Sequence, residues 1–106
     1  MKRGEVWWVN FSPSIGGEIK KTKPAVILSN DTANKHLNRV QVVPLSSKVG
    51  KLYPSEAFVT ISGQKSKAMA DQLTTVSKLR LINSLGSLSP SDLTAIESAI
   101  RTQLLL

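Results

Sequence analysis

The chain has 106 residues, of which 41% are hydrophobic and none is cysteine, and its 14 Lys and Arg outnumber its 7 Asp and Glu to give a formal net charge of +7. That length fits a single domain, 1–106, with a real core. The missing thiols exclude disulfide scaffolds, thiol catalysis and thiolate metal sites, while the excess of cations favours a polyanionic partner.

In chain order, residues 5–11 read as a strand with Val6 and Trp8 on one face and Trp7, Val9 and Phe11 on the other. Both faces are apolar, so both are expected to be covered, in part by a second subunit. Residues 12–22 form a long Gly-containing loop of the kind that carries function. A second strand over 25–29 is short, unbroken and partly β-branched. Pro24 is expected as its first residue, since it has no N–H for a ladder, and Lys23 is thereby held extended at the strand mouth. Ser29-Asn30-Asp31 ends the strand in a turn, and a polar connection with a helical turn runs to residue 38. A third strand covers 39–45 and a fourth 57–61; Ser62-Gly63-Gln64 turns into a fifth around 67–70. Ser77 caps a short helical turn over 78–81, and 82–88 return as a strand. Ser89-Pro90-Ser91-Asp92 is a helix start, and Leu93, Ile96, Ile100 and Leu104 then recur at helical spacing. The sum is a mainly β fold: a small curved antiparallel sheet or partly open barrel closed by a C-terminal helix. The opening residues are charged and strand-like rather than leader-like, and no apolar run is long enough to span a membrane, so the expected location is cytoplasmic.

The chemistry narrows by exclusion. His36 is the one histidine, and the acids are scattered without ligand spacing, so no metal site or cofactor is expected. There is no phosphate-cradling glycine loop and no nucleophile elbow. His36 reads as a surface or capping residue. Metal-free RNA cleavage stays open, because RNA supplies its own nucleophile in the 2′-OH. The protein then needs a cation, a small hydroxyl donor and a carboxylate on a rigid sheet. Lys23, Ser46 and Glu18 fit those roles. The cations gather as Lys20, Lys21 and Lys23 in one loop, Lys48 and Lys51 in another, and Lys65 and Lys67 in a third. Such a rim can follow a phosphate backbone.

A family resemblance makes this specific. Arg3-Gly4-Glu5-Val6-Trp7-Trp8-Val9-Asn10-Phe11-Ser12-Pro13, Gly16-Gly17-Glu18 and Lys23-Pro24-Ala25-Val26-Ile27-Leu28-Ser29-Asn30-Asp31 come first. Val42-Val43-Pro44-Leu45-Ser46-Ser47, Tyr53-Pro54, Ser62-Gly63-Gln64 and Ala70-Asp71-Gln72 follow. In this order and spacing the chain resembles the MazF/PemK family of toxin endoribonucleases, the mRNA interferases of toxin–antitoxin pairs. The resemblance implies an SH3-like barrel, a homodimer, and single-stranded RNA bound along the dimer groove. It also implies metal-independent, sequence-specific cleavage leaving a 2′,3′-cyclic phosphate and a 5′-OH, and an antitoxin with an acidic flexible tail. Lys23, Ser46 and Glu18 are the catalytic candidates under it, and Lys20, Lys21, Ser47, Lys48, Asp71, Gln72 and Thr74 the RNA-binding ones.

Three positions depart from the family pattern. Lys23 stands where an arginine is usual, Ser46 where a threonine is usual, and Thr74 where a basic residue is common. Lysine loses the planar fork that clamps phosphate, yet it yields a proton more readily than arginine. Plainer readings stand beside these roles. Glu18 can pair with Lys20 or Lys21, Asp71 and Gln72 can bond backbone, Ser46 can be a turn hydroxyl, and Trp7 and Trp8 can be core or dimer surface. Two rival functions also remain: a non-enzymatic toxin like the gyrase poisons that share the fold, and a catalytically weakened RNA-binding homologue.

Overall fold

The structure, a computed structural model, describes residues 1–12 and 21–106. Among these, seven strands form one curled antiparallel system: β1 (Glu5–Asn10), β2 (Thr22–Ile27), β3 (Arg39–Ser46), β4 (Glu56–Ile61), β5 (Gln64–Met69), β6 (Thr74–Ser77) and β7 (Leu81–Ser87). Helix α1 (Asp31–His36) follows β2, and α2 (Pro90–Leu104) follows β7. The strand order is β4-β5-β3-β2-β1-β7, with β6 also on β3. Because β6 pairs β3, β7 pairs β1, and only a 3₁₀ turn (Lys78–Arg80) joins them, the five strands β6-β3-β2-β1-β7 curl round towards closure.

Strand alternation builds two cores from one sheet. Val6, Val26 and Val43 are consecutive cross-strand partners on one face, continued by Leu45, Ala68 and Ala57. This face is closed by Ile96 and Ala99 of α2. Ser89 caps that helix by accepting from Asp92 N at 3.2 Å, and Pro90 follows the cap. Of the predicted helical stripe, Ile96 is fully buried and Leu93 and Ile100 pack against the core, but Leu104 is half exposed. The opposite face carries Val9, Ala25, Ile27, Val40, Val42, Val76 and Leu81, flanked by Trp7 and Phe11. It fills the curl itself. Strand β1 is therefore apolar on both faces, as its sequence implies.

Several expectations are corrected in detail. Pro24 is the third residue of β2, not its first. It faces Trp8 on β1, while pairing with β3 begins only at Ala25, so the missing N–H falls beyond that ladder. Lys65 and Lys67 lie within β5 rather than in a loop, and Lys23 lies within β2. Strand β6 has no counterpart in the sequence reading. The Ser-Asn-Asp turn is the start of α1, where Asn30 accepts from Ala33 N at 2.8 Å.

That polar tripeptide is a structural latch. Ser29 Oγ donates to the Oδ1 of buried Asn34 and accepts from Gln41 N at 3.0 Å, and Asn34 Nδ2 returns a bond to Ser29 O at 2.9 Å. Lys78 Nζ donates to Asn34 O from the far side. Arg3 completes the join: its N donates to Asp31 Oδ1 at 2.7 Å, its Nε to Leu28 O at 3.1 Å, and Nη2 pairs with Glu97 at 2.6 Å. The Arg3 backbone bond holds the Asp31 carboxyl below its ordinary value of 3.8. The stabilisation it gives is complete above that ordinary value and lost as pH falls through the depressed one.

Two stability outcomes follow from this packing. Asn34→Ala strands the buried Ser29 groups and should cost about 1–3 kcal/mol, read as a lower urea midpoint at unchanged slope; a loss under about 0.5 kcal/mol would mean water replaces the latch. Gly4 sits at φ +93, where an added Cβ would lie 3.0 Å from Leu93 Cδ1. Gly4→Ala should therefore cost about 1–3 kcal/mol, measured in the same titration.

Candidate nucleic-acid interface

The ladder between β2 and β3 ends with Ala25 opposite Pro44. The ladder with β2 goes no further, while along its other edge β3 pairs with β5, setting Leu45 opposite Ala68 and Ser46 opposite Lys67. Side chains of cross-strand partners share a face, and so do alternate residues of one strand. Lys23, partnered with Val9, Ser46, alternate to Pro44, and Lys67 are thus placed on one face of neighbouring strands. The structure brings together two of the three catalytic candidates. Glu18, like Lys20, lies outside the described residues.

The Ser46 hydroxyl has a defined setting. It accepts from Lys48 N at 3.2 Å, closing the turn that begins the loop over residues 47–55. The plainer reading of Ser46 as a turn hydroxyl is therefore correct as far as its acceptor side goes. Its own O–H stays available to donate.

Lys67 folds that loop back onto the sheet. Its Nζ lies 3.3 Å from Glu56 Oε1 and donates to Lys51 O at 3.2 Å, while the same Glu56 oxygen accepts from Tyr53 N at 2.9 Å. The Lys67 and Glu56 side chains are only 13% and 12% exposed, so removing either would leave the other a poorly solvated charge. Lys51 stands over the exposed Tyr53 ring at 5.4 Å and Lys65 over Phe58 at 3.9 Å. Ser47, Lys48, Lys51 and Lys65 are exposed, and Lys23 is half-buried.

A second anchor holds the chain just past the end of β1. Arg80 Nη1 donates to Asn10 O at 3.0 Å and to Ser12 O. Lys21, where the described chain resumes, is exposed at φ 61, and its carbonyl accepts from Phe11 N at 2.8 Å. Sequence reasoning gave Arg80 no role and took Lys67 for a rim cation. The available signal for Lys67 was its alternation with Ser66 and Ala68, which places it within a strand on the face away from the core.

The remaining RNA-binding candidates sit elsewhere. Asp71 and Gln72 belong to a 3₁₀ turn (Ala70–Gln72) between β5 and β6, with Asp71 exposed and Gln72 half-buried. Thr74 opens β6 opposite Val42, further back along β3 than Ser46. His36 is exposed at the end of α1. Among the described residues no three His, Asp or Glu side chains gather as a metal site would require, and no helix is long and apolar enough to cross a membrane.

On the open side of β2, a cleft of about 430 Å³ lies between the tip of the β4–β5 hairpin and strands β1, β2 and β7. Trp8, Leu45 and Leu85 give it an apolar lining, and Thr22, Lys23 and Pro24 form one wall.

Comparison with known proteins assigns this architecture. Residues 2–104 match the family of PemK-like, MazF-like toxins of type II toxin–antitoxin systems. The chain is 34% identical to Endoribonuclease MazF9 of Mycobacterium tuberculosis, over 98% of its own length and 96% of that protein's. It superimposes on a mycobacterial endoribonuclease solved in complex with its cognate antitoxin, with a TM-score of 0.84 and 26% identity over 100% of this chain and 96% of that one. MazF from Deinococcus radiodurans shares the fold at a TM-score of 0.89 and 23% identity, over 100% of this chain and 97% of the other. The curled sheet, the terminal helix and the order of the sequence motifs agree with these matches: the chain belongs to the PemK-like, MazF-like toxins of type II toxin–antitoxin systems.

Proposed function

We propose that this chain is a sequence-specific endoribonuclease toxin that cuts single-stranded RNA without a metal ion, by attack of the RNA's own 2′-OH. One observation carries the reading: Lys23 and Ser46 lie on one face of β2 and β3, just past the last pair of their ladder. The 2′-oxygen bonds to phosphorus as the bond from phosphorus to O5′ breaks. Charge gathers first on the non-bridging oxygens and then on O5′. The Lys23 ammonium stabilises that charge and gives O5′ its proton. The Ser46 O–H, aimed by its bond from Lys48 N, donates to a non-bridging oxygen. Glu18 is assigned the proton of the 2′-OH. The products are a 2′,3′-cyclic phosphate and a 5′-OH.

Lys20, Lys21, Ser47 and Lys48 are assigned to the RNA backbone around the scissile phosphate, and Asp71, Gln72 and Thr74 to nucleotides further along. The chain acts as a single domain, 1–106, in a homodimer whose groove carries the RNA, and its place of action is the cytoplasm. A cognate antitoxin with an acidic flexible tail competes for the same cations. The mycobacterial endoribonuclease solved in complex with its cognate antitoxin supports an antitoxin partner.

Cleavage of an oligoribonucleotide should proceed in EDTA and stop when the 2′-OH at the cut site is methylated. Dependence on magnesium, or cleavage of the methylated RNA, would overturn the mechanism. Lys23→Ala should lower the rate constant by two or more orders of magnitude, roughly 3 kcal/mol in barrier, with a much smaller loss of RNA affinity. RNA bound with a steep salt slope by the native chain but left intact would instead identify a catalytically weakened homologue. Sedimentation at micromolar concentration should show one species of twice the chain mass.

A further inference from the structure

Stability alone does not account for the covered ion pair between Lys67 and Glu56. Taking two charges out of water costs about as much as their attraction returns, so an apolar pair of similar volume would hold the sheet as well or better. What an apolar pair could not do is bond the backbone of the loop over residues 47–55.

The bonds of that loop converge on the pair. Glu56 Oε1 accepts from Tyr53 N at 2.9 Å, Glu56 N donates to Tyr53 O at 2.9 Å, and Lys67 Nζ donates to Lys51 O at 3.2 Å. Among the described residues, this last bond is the one hydrogen bond made by residues 49–52. Nearer the start of the loop, Lys48 N is bound to the Ser46 hydroxyl. The middle of the loop, with the exposed Lys51 ammonium over the Tyr53 ring, therefore rests on Lys67 and Glu56.

Strand register sets the pair beside the candidate chemistry. Lys67 stands opposite Ser46 on β3 and opposite Phe58 on β4, and Glu56 alternates with Phe58. Ser46, Lys67 and Glu56 thus share one face, and Lys23 lies on it too. Lys67 joins the strand that faces the Ser46 hydroxyl to the loop that carries Ser47 and Lys48.

We infer that Lys67 is a positioning residue for RNA cleavage: through Glu56 and Lys51 O it sets the loop over residues 47–55 so that Ser47, Lys48 and Lys51 hold the RNA backbone with the scissile phosphate at Lys23 and Ser46. This rests on the ribonuclease reading above. Lys67 acts through the loop rather than on substrate, since its ammonium already faces Glu56 and Lys51 O. Misplacing a substrate by about 1 Å costs on the order of a hundredfold in rate, even where the binding groups remain.

The chain has one tyrosine, Tyr53, so a fluorotyrosine label gives a single fluorine NMR resonance that reports the loop. Lys67→Met with Glu56→Leu should keep the native urea midpoint or raise it. Its cleavage rate constant at saturating RNA should nevertheless fall about ten-fold or more. Its affinity for a 2′-O-methylated, uncleavable oligonucleotide should change by less than about three-fold, because the other cations remain. Its fluorine line should move towards the position seen in urea. Lys67→Glu with Glu56→Lys restores opposite charges but offers no donor to Lys51 O and no acceptor to Tyr53 N, so it should be as slow as the apolar pair. If the native chain cuts RNA and either double variant cuts within about three-fold of it, the inference is wrong while the ribonuclease reading stands. A fluorine line unmoved in both, or loss of the urea transition in both, would overturn it equally, the latter by making the pair structural. Glu56→Gln keeps an acceptor for Tyr53 N while removing the charge partner of Lys67, and should cut no faster than the native chain. Faster cleavage or tighter RNA binding by it would make Lys67 a phosphate ligand held back by Glu56, against the inference. If the native chain neither binds nor cuts RNA, the ribonuclease reading itself fails.

Discussion

Strand β3 serves two pairing systems, and the candidate site exists because it does. Along one edge it pairs β2; along the other it pairs β6 through residues 39–42 and β5 through Leu45 and Ser46. Pro44 lies between the two ladders, where the absence of an N–H leaves no bond unmade. A proline in a buried strand ordinarily argues against the strand, and here it marks where one partner hands over to the next. Pairing with β5 carries β3 on past the end of its ladder with β2, and so sets Ser46 two residues beyond Pro44 on the face that Lys23 shares.

The count of 14 Lys and Arg overstates the cations free to meet a polyanion. Arg3 is engaged with Glu97 and two backbone groups, Arg80 with the end of β1, Lys78 with Asn34 O, and Lys67 with Glu56 and Lys51 O. These four hold termini, turns and loops in place. The exposed Lys48 and Lys51 are carried on the loop that Lys67 secures, so one cation sets where the others stand. Surface ion pairs are worth little to stability in general; the buried Lys67 pair matters for geometry, since it ties a loop of nine residues, 47–55, to a strand that faces Ser46.

Much of the fold is legible because alternation and helical spacing are physical signals that survive without context. β1 shows an apolar pattern on both faces, and both prove to be core. Ser89-Pro90 starts α2, and Ser62-Gly63 turns the hairpin. What is not legible is local sequence overridden by pairing. Thr74-Thr75-Val76-Ser77 carries one apolar residue and reads as connection, yet β3 supplies an edge that makes it β6. Lys67 looks like a loop residue by composition because one of its two strand partners, Ser46, is distant in sequence. The site divides along the same line. Lys23 and Ser46 emerge from motif and chemistry, while the anchoring roles of Arg80 and Lys67 are recognisable only once distant strands are folded together.

The lysine at position 23 can be weighed against this geometry. An arginine grips a phosphate through two parallel bonds and so fixes its orientation unaided. A lysine attracts the phosphate as a point charge and leaves its rotation free. With lysine, orientation must come from groups placed independently. Ser46 is one such group, held by the turn to Lys48 N. The same exchange replaces a guanidinium, which keeps its protons in proteins, by an ammonium, which can give one up. Orientation by neighbours and proton transfer by Lys23 are therefore complementary demands: the arginine-to-lysine change is tolerable for catalysis only where the surrounding sheet already fixes the substrate.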